Sequence, residues 1–193
     1  MIAVDVVLLP PPDVMDKAVE INSRHVKDTG NSEIVLDRKR CLPHITLAMG
    51  CISEGHIERM DQILKSIAHD LCPLRLKTIT LKDGKASIRI EKGRDIELLH
   101  ELVVIRMSPF FTHEVSKDMI YNPENGEIND ITVDYIREFP THSSFENYVP
   151  HITVGHGDIG FEVGSFGFIA RDLALCHLGD FCTCRKILCS HRL

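Results

Sequence analysis

The sequence predicts an α+β chain, one compact domain of two similar lobes over residues 1–193. Three observations carry that expectation. The tetrapeptide Pro-His-Ile-Thr occurs twice, at residues 43–46 in LPHITLAMG and at residues 150–153 in VPHITVGHG. The order strand, helix, motif strand, helix around the first copy is roughly re-run around the second. No Gly/Ser-rich linker separates the two halves.

Taken in order, Ile2–Leu9 reads as a buried strand. It is short, holds Asp5 and lacks a basic leader, so it is not a secretory signal. The prolines that follow suit a helix entry and Gly30 its exit, with Val14, Ala18, Ile21 and His25 as one stripe. SEIVLD reads as a short strand and Arg38-Lys39-Arg40 as a solvated loop near enough to His44 to reach a phosphate. The first motif strand runs from Pro43 to Ala48. Ser53 is the expected cap of a helix to about Leu71, whose Ile57, Met60, Leu64 and Ile67 recur at steps of three and four. LRLKTITLKDGKASIRIEK predicts a hairpin turning at Asp83-Gly84. A third helix covers residues 95–106 and a fourth starts at Asn129 or Asp130. The second motif strand follows, then a closing hairpin around Gly179-Asp180.

Composition narrows the function classes. Hydrophobic residues are 44% and charged residues 26%, the balance of a soluble globular protein, and no apolar run is long enough to cross a membrane. A net charge of −6 argues against wrapping a long nucleic acid, which needs many cationic phosphate contacts, but leaves room for a small anion. Seven cysteines, an odd number without a secretion signal, point to a reduced, cytoplasmic setting. The cluster Cys176, Cys182, Cys184, Cys189 and His191 fits no usual zinc spacing and reads as small residues packed in a hairpin.

Strand alternation gives the motif its chemistry. His44 and Thr46 point one way, Ile45 and Leu47 the other; His151 and Thr153 repeat this, with Ile152 and Val154 inward. Tyr148 falls on the core side, and His156 on the opposite strand face from His151. If the lobes face each other, two imidazoles and two hydroxyls surround one small volume. A phosphodiester reaction needs a base for the nucleophile and an acid for the leaving oxygen, and histidine serves as either near neutral pH. Threonine hydroxyls donate to phosphate oxygens. A catalytic zinc wants three protein ligands and the motifs supply two histidines, so neither metal nor cofactor is expected.

At these residues the chain resembles the 2H phosphoesterase superfamily, the 2′-5′ RNA ligase-like proteins, whose hallmark is two spaced copies of His-x-Thr/Ser followed by an apolar residue. HITL at His44 and HITV at His151 fit it, and the closing FGFIARDLALCHLGDFCTCRKIL is similar to the last strands of such proteins. The resemblance implies two pseudo-symmetric lobes, each an antiparallel sheet with outer helices, around a central cleft. It implies hydrolysis of a cyclic phosphate, on a 2′,3′-cyclic nucleotide or RNA end, with His44 and His151 as acid and base and Thr46 and Thr153 as phosphate donors. RNA-acting members often carry an arginine shortly before the second motif, where this chain has SSFENYVPH. A monomer acting on a small cyclic-phosphate nucleotide or short RNA end is therefore expected, with Arg38, Lys39, Arg40, Arg185 and Lys186 as candidate phosphate holders. A nucleotide-binding module without turnover, and 2′-5′ ligation by the same residues, stay open from sequence.

Overall fold

The computed structural model describes residues 1–82 and 84–193. In chain order it contains β1 (Ile2–Leu9), α1 (Pro12–Thr29), β2 (Ile45–Ile52), α2 (Ile57–Asp70), β3 (Leu74–Lys77), β4 (Gly84–Arg89), α3 (Arg94–Met107), α4 (Asp130–His142), β5 (His151–Ile159), β6 (Gly167–Ala170), β7 (Asp172–Gly179) and β8 (Thr183–Arg192). The class is α+β, with every strand ladder antiparallel.

One lobe is a four-stranded sheet in the order β2-β1-β7-β8. The other is built from the pairs β3-β6 and β4-β5, tied by a bridge between Thr78 and Ile90. The lobes are not the two halves of the chain. Each takes strands from both halves, because β7 and β8 return to pair beside β1 while β5 and β6 pair with β4 and β3. β1 is central in its sheet and buried on both faces, which is why its sequence is a near-continuous apolar run. Helices cover the outside: α2 packs on β7 and β8, α3 on β2, and α1 on β5.

Helix α1 forms as its sequence signals require. Pro sits in its first turn, Val14, Ala18, Ile21 and His25 are buried, and Gly30 closes it at φ 74°. Its buried polar residues then fix the second motif strand. Asn22 Nδ2 donates to the Ile34 carbonyl at 2.8 Å and to the Val154 carbonyl at 3.1 Å, and Asn22 Oδ1 accepts from Leu36 N at 2.8 Å. His25 Nε2–H donates to the His156 carbonyl at 3.0 Å. Between those two clamps only glycine fits: a Cβ on Gly155 would lie 2.3 Å from His25 Cδ2.

Several local expectations are corrected. SEIVLD is not a strand: its Ile34 and Leu36 are buried, but the Asn22 side chain takes the backbone groups that a neighbouring strand would have taken. Ser53 makes no side-chain cap; a 3-10 turn, Glu54–His56, leads into α2 instead. The first motif strand begins at Ile45, leaving His44 just before it. The runs flanking Asp83-Gly84 do not zip into a hairpin, because β3 takes β6 and β4 takes β5 as partners and the two runs meet only near the Thr78–Ile90 bridge. Asp83 itself lies outside the described residues. Asn129 is confirmed as the cap of α4, its side chain accepting from Ile131 N at 3.0 Å.

Replacing Asn22 by Ala strands three buried backbone groups and is expected to cost about 2 kcal/mol or more. For a chain of this size that lowers Tm by roughly 2–4 °C per kcal/mol, which calorimetry reads directly.

Candidate active site

The two motif strands face each other across one cavity of about 370 Å³. His44, Thr46, His151 and Thr153 all line it, while Ile45, Leu47, Ile152 and Val154 are buried behind them. The alternation read from the sequence is thus the alternation of the fold.

Both rings are held in the same way. His44 Nδ1 lies 2.8 Å from the Leu42 carbonyl and His151 Nδ1 lies 2.8 Å from the Val149 carbonyl. A carbonyl only accepts, so each Nδ1 carries the hydrogen and each Nε2 is the position free to gain or lose a proton. The bonded carbonyl belongs in each case to the residue before the proline. Proline keeps that residue extended and fixes its own φ, which holds the carbonyl in line with the ring two residues on. The prolines therefore aim the imidazoles.

The surroundings of the two rings differ. Beside His44 is Asp5 of β1, whose side chain is fully buried and whose Oδ2 is 3.6 Å from His44 Nε2. Thr46 Oγ1 donates to that same Oδ2 at 2.6 Å, so the hydroxyl expected to serve a phosphate is engaged behind the cleft. Among the described residues Asp5 Oδ1 has no hydrogen-bond partner. Burial raises the Asp5 carboxyl well above the usual range, against the lowering effect of the Thr46 bond. Opposite His151 in the β4-β5 ladder is Arg89, and opposite Thr153 is Ser87. Lys85, Ser87 and Arg89 share one face of β4 with His151 and Thr153, while Ala86 and Ile88 are buried on the other. Lys85 and Ser87 line the cavity and, with Lys82 and Arg89, an adjoining pocket of about 250 Å³. Burial pushes His44 from 6.5 down to about 4, helped by the nearby His151; burial also lowers His151, helped by Arg89.

Other walls come from distant segments. α4 contributes Thr132 and Tyr135, and the 3-10 turn Asp180–Cys182 contributes Phe181 and Cys182, both at positive φ (54° and 53°). Asp180 pins that turn to the start of α4 through Thr132 Oγ1 and Asn129 N. His156 lies on the cavity, not on the opposite face: the β4-β5 ladder jumps from Ser87↔Thr153 to Lys85↔Asp158, and the extra β5 residues bulge toward the cleft. There His156 Nδ1 meets Glu33.

None of the expected phosphate holders lines the cavity. Arg38 pairs with Asp16 and Arg40 with Asp37 in the exposed loop, and the Arg185 side chain lies against Gly179 with a buried Nε. Lys85 lines the cavity instead, and Arg89 lines the adjoining pocket. Only their even spacing from Ser87 on a strand carried a signal, and their partner strand was not readable. Tyr148 is buried as expected, stacked on His100 at 3.8 Å with its hydroxyl donating to the Thr46 carbonyl at 3.0 Å. Cys176 and Cys184 pack inside the closing hairpin. Among the described residues no three His, Cys, Asp or Glu side chains form a metal-holding group, and no helix is long and apolar enough to cross a membrane.

Among solved structures, TT0787 of Thermus thermophilus matches over 100% of this chain and 98% of its own, with a TM-score of 0.61 at 13% identity. The chain shares the fold of that protein. A phosphoesterase matches over 100% of this chain and 99% of its own (TM-score 0.47, 12% identity). E. coli LigT complexed with 3′-AMP matches over 98% and 97% (TM-score 0.46, 13% identity). No protein-family model matches the chain, and no curated protein matches it in sequence.

In the empty cleft, the His44 ring is expected to stay neutral until pH falls to about 4, and His151 to titrate below the ordinary 6.5. Ring-proton chemical shifts followed by NMR from pH 8 to 3.5 check this. A common midpoint near 6.5 for both rings would show a cleft open to bulk water.

Proposed function

We propose that the chain is a metal-independent phosphodiesterase that opens a cyclic phosphate on a small nucleotide or short RNA end. One observation carries the reading: two imidazoles, each with Nδ1–H tied to a backbone carbonyl and Nε2 left free to exchange a proton, line one cavity together with Thr46 and Thr153. That pair can take a proton from water on one side of phosphorus and give one to the leaving oxygen on the other. The resemblance of HITL and HITV to the 2H phosphoesterase signature supports the same chemistry. Thr153 Oγ1, without a hydrogen bond among the described residues, and Ser87 across the ladder are the hydroxyls to hold non-bridging oxygens. Lys85 and Arg89 supply positive charge on the same face. Arg89 lies opposite His151 in the β4-β5 ladder.

Turnover of 2′,3′-cyclic nucleotides in the presence of EDTA is the test, with product regiochemistry followed. Alanine at His44 or His151 is expected to lower kcat by on the order of 10²–10⁴-fold with the fold intact. A strict requirement for added divalent metal would overturn the reading, and binding without turnover would reduce the chain to a nucleotide-binding module.

The net charge of −6 and the few cations at the cleft set the expected salt response. The affinity of a short 2′,3′-cyclic oligonucleotide should fall with salt at a slope matching about one to three phosphate contacts. Arg89→Ala should reduce that slope by about one contact. Titrations at several salt concentrations measure it, and a steep slope seen with long RNA alone would contradict the small-substrate assignment.

A further inference from the structure

The proposed reaction needs an acid as well as a base, yet burial disfavours the charged form of both cleft imidazoles. Two neutral imidazoles are two bases. The missing proton has a place directly beneath the first motif. Asp5 sits in the middle of β1 with its side chain fully buried, Oδ2 between Thr46 Oγ1 (2.6 Å) and His44 Nε2 (3.6 Å), and Oδ1 without a hydrogen-bond partner among the described residues. A permanently ionised carboxylate with one hydrogen bond and no fixed cation is expensive in such a site. Among the described residues the His44 ring is the one basic group within 4.0 Å of it. The other groups that sense it are acids: Tyr135 of α4, Tyr148, Cys182 of the 3-10 turn and Cys184 of β8. The second motif is set differently, with Ser87 and Arg89 opposite Thr153 and His151. A guanidinium there disfavours a proton on His151.

Resting on the reading of the cleft as a phosphodiesterase site, we propose that Asp5 is a positioning residue: it and His44 hold one proton between them, the pair serving as the acid, while His151 is the base. In the empty cleft the proton stays on Asp5, while its Oδ2 accepts from Thr46 Oγ1 at 2.6 Å. A phosphodiester anion beside His44 Nε2 favours an imidazolium, and the proton moves across the 3.6 Å gap to the ring. The carboxylate left behind is then stabilised by the Thr46 hydroxyl and by the charge on the ring. His151 Nε2 takes a proton from water as the new O–P bond forms. The P–O bond to one ribose oxygen breaks, and that oxygen takes the proton from His44 Nε2. His151 ends with one proton more and the pair with one fewer, so one proton exchanged through solvent resets the site.

The test compares wild type, Asp5→Asn and His151→Ala on two probes: a nucleoside 2′,3′-cyclic phosphate, whose alkoxide leaving group needs a proton, and bis(4-nitrophenyl) phosphate, whose leaving group does not. Asp5→Asn is expected to lose on the order of 10²-fold or more in kcat on the cyclic nucleotide and under about 10-fold on the aryl ester. Its optimum on the cyclic nucleotide should shift to lower pH, because His44 must then hold the proton alone. His151→Ala should lose heavily on both. Equal losses of Asp5→Asn on both probes with an unchanged pH profile, or full activity on the cyclic nucleotide, overturn the proposal. An NMR arm needs no turnover: with inorganic phosphate at pH 7, His44 should be protonated in wild type and neutral in Asp5→Asn. A ring that stays neutral in wild type overturns the proposal, as does one protonated equally in both. Failure of wild type to turn over any phosphodiester would instead overturn the reading of the cleft.

Discussion

The bond from each cleft histidine to the carbonyl two residues earlier is the interaction on which the site depends. It commits the Nδ1 proton to the backbone, sets the ring plane and leaves Nε2 as the single reactive position. Proline between carbonyl and ring makes the bond local and easily formed, since the residue before a proline already favours the extended conformation. The same four-residue device can therefore be used twice in different sheets and give the same ring presentation. What it does not set is the distance between the two rings, which depends on how the sheets meet.

That meeting is arranged by interleaving. Strands from both halves of the chain enter each lobe, so neither lobe can form before most of the chain is in place. Asn22 and His25 of α1 then clamp β5 through the Val154 and His156 carbonyls, around a glycine that permits the close approach. Buried polar bonds of this kind are directional where apolar packing is not, and they fix the second motif strand in position. On the far side Asp180 ties the closing turn to α4 and holds Phe181 and Cys182 at positive φ against the cavity. Backbone strain at a cleft wall persists only where the surroundings over-determine it.

The two motifs are equal in sequence and unequal in environment. A buried carboxyl lies under one and an arginine faces the other, and both neighbours come from strands that precede β5 by many residues. Low dielectric magnifies such differences, so identical tetrapeptides meet different electrostatic surroundings.

Much of this was legible in the chain itself. The repeated tetrapeptide gave the inward and outward parity of eight residues, and periodicity gave the two helices α1 and α2 with Val14, Ala18, Met60, Leu64 and Ile67 on their buried sides. These features rest on spacing within one element, which local backbone geometry dictates. The short strand at SEIVLD, the hairpin at Asp83-Gly84 and the face of His156 were misread, because each turned on a partner from elsewhere: Asn22, the strands β5 and β6, and the β4-β5 register. The basic residues nearest the motif in sequence stay in an exposed loop, where Arg38 and Arg40 have acids beside them, while strand pairing sets Lys85 and Arg89 on the face of β4 that carries Ser87. The sequence by itself determined the two imidazoles, their hydroxyls and the direction each points. Only the tertiary structure decided that Asp5 lies beneath one of them and Arg89 across from the other, because burial and cross-strand register are properties of contacts between segments far apart in the chain.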